Sequence, residues 1–404
     1  MPSSLTSLFW ISLCAVIAPL VAGLVPRRLV PEVVLLIIGG VLIGPFVLEL
    51  AATDEAIEML RELGLGMLFL LAGYEIEPEE LTGRAGRRAM VTWIVCLALA
   101  MSVVGLIGLS EVINAEIAVA IALTSTALGT LLPILRDSGL LTTPLGTTVL
   151  RHGAYGELGP IVAIAVLLGT HGPLASLLLL AAFAVIALVV SLPSVHLRDR
   201  ASRIVDLIRL GSETTGQTTV RLTILLLVTL GAVAAVFELD SVLAAFAAGF
   251  VLRRALPGGD ERLEAKLDGL AFGFLIPVFF VTSGMAIDPG AVAEEPADLA
   301  IFVLLILLIR GGSVYVAARL DRSADGTRRR RRESVQIGLY GATGLPIIVA
   351  VTSVAVKSGQ MSSTNASVLV AGGAITVLLF PMFAALLSGA RGQDHQERTT
   401  EPMH

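Results

Sequence analysis

Thirteen stretches of nearly unbroken apolar residues alternate with short polar loops along this chain. They lie near residues 5–25, 31–48, 58–76, 88–108, 115–135, 146–169, 173–193, 219–236, 240–255, 269–288, 298–318, 333–356 and 363–388. Each reaches or approaches the ~20 residues a helix needs to cross a hydrocarbon layer. The pattern predicts an all-α polytopic membrane protein with 13 transmembrane helices. The ninth stretch is short, so it is expected to be tilted or re-entrant. The first opens on Met-Pro-Ser-Ser with no basic region before it, which fits a retained span better than a cleaved signal.

The loops bear on this count. The odd-numbered loops hold Arg27 and Arg28; Arg84, Arg87 and Arg88; Arg136; Arg198, Arg200, Arg203, Arg209 and Arg221; Arg253, Arg254, Arg262 and Lys266; and Arg319, Arg322 and the run from Arg328 to Arg332. Only Arg61 and Lys357 lie near even-numbered loops. Positively charged loops stay on the cytoplasmic side. The expectation is an integral protein of the plasma (inner) membrane, N-terminus outside and C-terminus inside. The arginine run is taken as a topology signal rather than a nucleic-acid patch, with contact to anionic lipid as a further possibility.

Composition agrees. The 404 residues are 55% hydrophobic and 15% charged, with a mean hydropathy of +0.87, which excludes an ordinary soluble globule. Cys14 and Cys96 both fall in apolar stretches and form neither a disulfide framework nor a metal site. No nucleophile–base pair or metal cluster suggests an enzyme, and no cofactor is expected.

Two parts of the chain resemble each other. Leu65-Gly-Met-Leu-Phe-Leu-Leu-Ala-Gly-Tyr-Glu-Ile-Glu-Pro78 parallels the segment Phe272 to Pro289, and Ile38-Gly-Gly-Val-Leu-Ile-Gly44 parallels Ala247-Ala-Gly-Phe-Val-Leu252. The matched segments lie seven spans apart, so they run in opposite directions. Two inverted six-helix repeats around a linker span form a secondary-transporter architecture, with the site at the midplane. Chance likeness between apolar helices is the plain alternative.

The fifth and twelfth stretches each contain small and hydroxyl residues followed by a helix breaker. They are Thr124-Ser-Thr126 before Pro133, and Thr343-Gly344 before Pro346. Such breaks at membrane depth are tolerated only in protein or beside a wet cavity. They predict two discontinuous helices crossing near the midplane. The alternative is two kinked helices whose hydroxyls bond back to their own carbonyls.

Two charges stand clear of the loops, Glu157 and Arg310. A carboxylate at that depth costs about 2.5–3.5 kcal/mol on insertion scales and marks a functional position by default. An arginine there keeps its charge. It is expected to offset half-helix ends, to pair with Glu157, or both. A structural ion pair is the alternative. Glu75, His152 and Ser283 are possible accessory residues. His152 is either a proton relay or a satisfied helix-end histidine. Most of the acidic group around Glu75, with Glu77, Glu79 and Glu80, reads as solvated surface.

These residues resemble the monovalent cation:proton antiporters, in their second branch of sodium/proton antiporter-like and potassium-efflux-like proteins with thirteen spans. The likeness rests on Leu70-Leu-Ala-Gly-Tyr-Glu-Ile-Glu-Pro78, Thr124-Ser-Thr-Ala127, the acid of the sixth span, Phe279-Phe-Val-Thr-Ser-Gly-Met-Ala-Ile-Asp288, the basic residue of the eleventh span and Gly344-Leu-Pro346. It extends to about Leu387.

The resemblance implies that Glu157 binds cation and proton in competition, dressed by Thr124, Ser125 and Thr126, with Arg310 as charge compensation. The substrates would be sodium or potassium and protons, with no metal beyond the transported cation and a role in pH homeostasis. It implies a homodimer working as an elevator. Residues 1–80 and 216–290 would then be scaffold and dimerisation helices, and 86–170 and 296–389 core transport helices. Residues 171–215 would be a linker helix and cytoplasmic loop, and 390–404 a short disordered tail. No nucleotide-binding domain is expected in this chain.

One departure is informative. The family usually has two adjacent polar residues where this chain has Gly156-Glu157, and the longer glutamate is expected to reach into the room left by glycine. With one carboxylate and a fixed arginine charge, the expectation is electroneutral one-for-one exchange. Two other functions fit the same pattern: proton-coupled transport of an organic or other solute on the same fold, or a channel or sensor subunit that does not exchange.

Overall fold

The computed structural model describes residues 2–24, 30–76, 83–108, 116–168, 174–176, 178–183, 185, 217–256, 259–321 and 329–389. Arg27, Arg28, Glu77, Glu79, Glu80, Arg198, Arg200, Arg203, Arg209, Arg322 and Arg328 lie outside the described residues, as do the 390–404 tail and most of the expected linker.

The described residues are helical, with no strands. In order they are α1 (Ser4–Leu24), α2 (Glu32–Ile43), α3 (Glu55–Glu75), α4 (Gly83–Gly108), α5 (Glu116–Ala122), α6 (Leu128–Asp137), α7 (Pro144–Ala163), α8 (Thr218–Val236), α9 (Ser241–Ala255), α10 (Glu261–Met285), α11 (Pro289–Glu294), α12 (Pro296–Leu320), α13 (Arg331–Gly341), α14 (Leu345–Lys357) and α15 (Ser363–Gly389). A further apolar helical stretch lies at Leu174–Phe183. Among the described residues, seven segments are long and apolar enough to cross a membrane: α1, α4, α8, α10, α12, α15 and the run Arg331–Lys357 that holds α13 and α14. This is an integral membrane protein.

Local chemistry sets the helix starts. Asp54 accepts from the Ile57 amide at 2.9 Å and begins α3, with Glu55 and Glu58 in the first turn where the helix dipole favours acids. Asp240 caps α9 through Val242, and Asp260 caps α10 through Arg262 and Leu263. Thr143 accepts from Gly146, and Pro144 occupies the first turn of α7.

Four helices pack at backbone distance. A Cβ placed on Gly40 of α2 would lie 2.0 Å from the Val281 carbonyl oxygen of α10, and one on Gly284 would lie 2.2 Å from that of Ile37. Likewise a Cβ on Gly249 of α9 would lie 1.9 Å from the Leu70 oxygen of α3, and one on Gly73 would lie 2.1 Å from that of Phe246. Only glycine permits such approach, and small residues drive helix association in lipid. A second group, α4, α7, α12 and α15, packs with the interrupted helices α5/α6 and α13/α14.

Three π-helical turns interrupt long helices: Ile164–Leu168 after α7, Ala271–Leu275 within α10 and Ile306–Gly311 within α12. The last contains Arg310. Such turns often sit at functional positions.

Candidate functional site

Two helices are broken and cross. The fifth apolar stretch is interrupted at Leu123–Ala127, between α5 and α6, and the twelfth at Ala342–Gly344, between α13 and α14. The breaks satisfy one another. The Ala127 amide donates to the Thr343 carbonyl at 2.6 Å, and the Thr126 amide to the Gly156 carbonyl at 2.9 Å. A Cβ on Gly344 would lie 2.0 Å from Ser125 Oγ, so the segments touch where glycine stands. Buried backbone groups freed from a helix ladder need partners, and here the partners come from the facing break and from α7.

Pro133 is not part of the break. It lies inside α6, whose first residue is Leu128. The ladder opens earlier because the Thr126 and Ala127 amides bond outward to Gly156 and Thr343. Pro346 does sit at a helix start, in the first turn of α14, with Gly344 as the preceding cap.

Glu157 is 3% exposed on α7. Its Oε1 accepts from the Leu128 amide at 3.2 Å, with the Gly129 amide also directed at the carboxylate. These are the first two residues of α6, so the acid caps the positive end of a half-helix. Its Oε2 has no hydrogen-bond partner. The charged side chain close enough to act on it electrostatically is Glu75, at the end of α3.

Arg310 is fully buried but forms no ion pair with Glu157 among the described residues. Its Nε donates to Thr126 Oγ1 at 2.9 Å and its Nη2 to the His152 carbonyl at 2.7 Å. Thr126 Oγ1 in turn donates to the Gly341 carbonyl, the last residue of α13. The guanidinium thus reaches the negative end of that half-helix through one hydroxyl.

The room beside Gly156 is filled by Arg310, not by Glu157. A Cβ at 156 would lie 2.2 Å from Arg310 Nη2 and 2.5 Å from Thr126 Oγ1. The reason is direction. Residues 156 and 157 are neighbours on one helix, and consecutive helical side chains leave it on different faces.

The hydroxyls divide their roles. Thr124 Oγ1 and Ser125 Oγ donate to Ile121 and Ala122, closing the end of α5, and Thr343 Oγ1 does the same for Tyr340. Back-bonding therefore coexists with a true break. Ser283 bonds back to Phe279 and lines a cavity of about 310 Å³ between α3, α10, α14 and α15. At its rim Lys357 Nζ lies 2.9 Å from Glu62 and 3.4 Å from Glu58, and Arg61 Nη2 donates to Ser353 Oγ at 3.1 Å. The π-turn that presents Arg310, and the His152 and Gly341 carbonyls, escaped sequence reasoning. Backbone acceptors leave no residue-type signal.

The family model described as "Sodium/hydrogen exchanger, transmembrane" matches residues 12–387. The chain belongs to that family. Among curated relatives of this exchanger-family chain, a glutathione-regulated potassium-efflux system protein of Haemophilus influenzae is 26% identical, over 87% of this chain and 56% of its own. The putative Na(+)/H(+) antiporter YjbQ of Bacillus subtilis is 22% identical, over 92% of this chain and 61% of its own. The chain thus spans little more than half the length of these relatives. The sodium proton antiporter MjNhaP1 of Methanocaldococcus jannaschii has the same fold, with a TM-score of 0.66 at 18% identity over 96% of this chain and 97% of that one.

Proposed function

We propose that this chain exchanges a monovalent cation, sodium or potassium, for protons across the plasma membrane, with Glu157 as the shared ligand. The observation that carries this is the Glu157 carboxylate, buried at the N-terminus of α6 where two interrupted helices cross, one oxygen held by amides and the other without a partner. One carboxylate holds a proton or a cation, not both. If only its neutralised states cross the barrier, exchange is obligatory. The names of the relatives support the substrates: one is called a potassium-efflux system and others sodium/proton antiporters. Thr124, Ser125 and Thr126 with Gly156 are assigned to the surroundings of the bound cation, and Arg310 neutralises the α13 end through Thr126.

The architecture we propose is thirteen crossings in two inverted repeats, N-terminus outside. Its support lies in the glycine contacts. Pairing Gly40 with Gly249 and Gly73 with Gly284 by sequence turns the α2–α10 contact into the α9–α3 contact. Val281 then matches Leu70, and Ile37 matches Phe246, as a two-fold relation requires. Elevator motion and a homodimer follow from the same reading. The tightly packed helices act as scaffold and the crossing helices move against them, beside the cavity that separates α3 and α10 from α14 and α15.

Flux in proteoliposomes with an interior pH dye and a panel of sodium, potassium, lithium and rubidium tests the function. Wild type exchanges, Glu157→Gln does not, and Arg310→Ala is impaired. Undiminished exchange by Glu157→Gln overturns the assignment. With one titrating carboxylate the exchange is electroneutral, so an imposed membrane potential leaves the rate unchanged; a rate that follows the potential rules one-for-one exchange out.

A further inference from the structure

A second polar site lies away from the crossing, at the arginine-rich end of α4, α7 and α12. Ala85, Arg88 and Ala89 of α4, Thr148, Arg151 and His152 of α7, and Ala317 and Asp321 at the end of α12 line a small pocket. Its free volume, about 20 Å³, takes one or two polar atoms. Two buried nitrogens around it lack partners: Nδ1 of His152, which is 7% exposed, and Nε of Arg329, which is 9% exposed. Arg329 reaches the pocket wall through Thr148 Oγ1 at 2.6 Å. Arg88 pairs with Asp321 at the mouth. Arg151 has no ion pair among the described residues. The charged groups of the pocket lining are Arg88, Arg151 and Asp321, with Arg329 behind Thr148, so among the described residues positive charge exceeds negative there. The pocket therefore carries an excess of positive charge and one unpartnered nitrogen in its lining, Nδ1 of His152, and such a place favours an anion.

Its surroundings say which kind. α4 and α12 pack side by side here and turn apolar side chains outward. Val91, Ile94 and Val95 on α4, and Val316 and Leu320 on α12, are each at least half exposed. Such a face in a membrane protein lies against acyl chains. A basic pocket beside exposed apolar side chains of two packed helices fits a headgroup whose chains lie along that surface.

We propose that this pocket binds the phosphate of an anionic phospholipid, held by Arg88, Arg151 and His152 with Arg329 behind Thr148. The site is separate from Glu157, and its existence does not rest on cation exchange there. It touches that machinery at one atom, since the His152 carbonyl accepts from Arg310. A bound headgroup steadies the helix turn that supplies this acceptor.

The test uses the full chain in detergent. Native mass spectrometry with phosphatidylglycerol against phosphatidylcholine reads lipid retention, and thermal melting with each lipid reads stabilisation. Wild type retains phosphatidylglycerol in preference. Arg151→Gln and Arg88→Gln each weaken that preference about fivefold, while Arg254→Gln, on the distant end of α9, leaves it intact. Equal retention of both lipids by wild type, or full preference in the double variant, overturns the proposal. Stabilisation by inorganic phosphate alone, with no added effect of the lipid, overturns the lipid as source. Equal retention by wild type overturns the proposal whether or not a variant folds.

Discussion

Gly156 and Arg310 share one space: the guanidinium Nη2 lies 2.2 Å from where a side chain at 156 would begin. A methyl group there must displace a buried cation that is already bonded to Thr126 and His152. Gly156→Ala is therefore expected to lose about 1–3 kcal/mol of stability through overpacking. Shortening the arginine relieves part of this, so Gly156→Ala costs less in an Arg310→Ala background. Thermal melts of the four proteins form a double-mutant cycle, and strict additivity would show that the two positions do not compete.

The glycine contacts between α2 and α10 and between α3 and α9 make a second prediction. Gly40→Ala and Gly249→Ala each push a helix off a facing carbonyl, at a cost of about 1–3 kcal/mol. Gly105 and Gly231 have nothing within 4 Å of an added Cβ, so alanine there is neutral or slightly stabilising by helix propensity. Melting temperatures separate the two classes. Equal behaviour of Gly40→Ala and Gly231→Ala would refute the close approach.

At the cavity rim Lys357 and Glu62, 295 residues apart, join α14 to α3. Both side chains are more than half exposed, so the pair adds at most about 1 kcal/mol to stability. Its effect is expected in motion instead, because sliding α14 past α3 breaks it. Added choline chloride screens the pair and should change the exchange rate of wild type. The rate of Lys357→Ala should not respond to that salt; an identical response in both proteins counts against the tie.

Asp54 offers a pH test outside the spans. The Ser4 hydroxyl, then the Ile57 amide, hold its carboxyl below the ordinary carboxylate value. A lowered value in the folded state means that the ionised form stabilises the fold above about pH 4. That stabilisation is lost as pH falls through the lowered value. Asp54→Asn should melt lower than wild type at neutral pH, with the gap closing in acid. A gap that persists when the carboxyl is protonated would assign the effect to packing.

The sequence is read most easily where membrane physics leaves few choices. Apolar length placed the helices, and the isolation of Glu157 and Arg310 singled them out without structural help. The break between α5 and α6 was anticipated, but Pro133 drew attention several residues too late. A proline is visible in a sequence, whereas an amide that leaves its ladder for the Thr343 carbonyl is not. The partner of Arg310 was hidden for the same reason. Opposite charges suggest a pair, yet the acceptors are a hydroxyl and a carbonyl, and the second belongs to His152 irrespective of its side chain. Gly40 and Gly249, alike in sequence, each stand where an added Cβ would lie about 2 Å from a facing carbonyl oxygen, a closeness the sequence likeness by itself did not predict.

Arg310 rests on Thr126 and His152 rather than on the acid, and in the exchange proposed above this would free Glu157 to change occupant. Had the two charges been clasped, each arrival of a proton would have stranded a guanidinium in hydrocarbon and forced its surroundings to rearrange. On that proposal the passenger would be swapped while the seat keeps its shape, and loading and travel would be separate events.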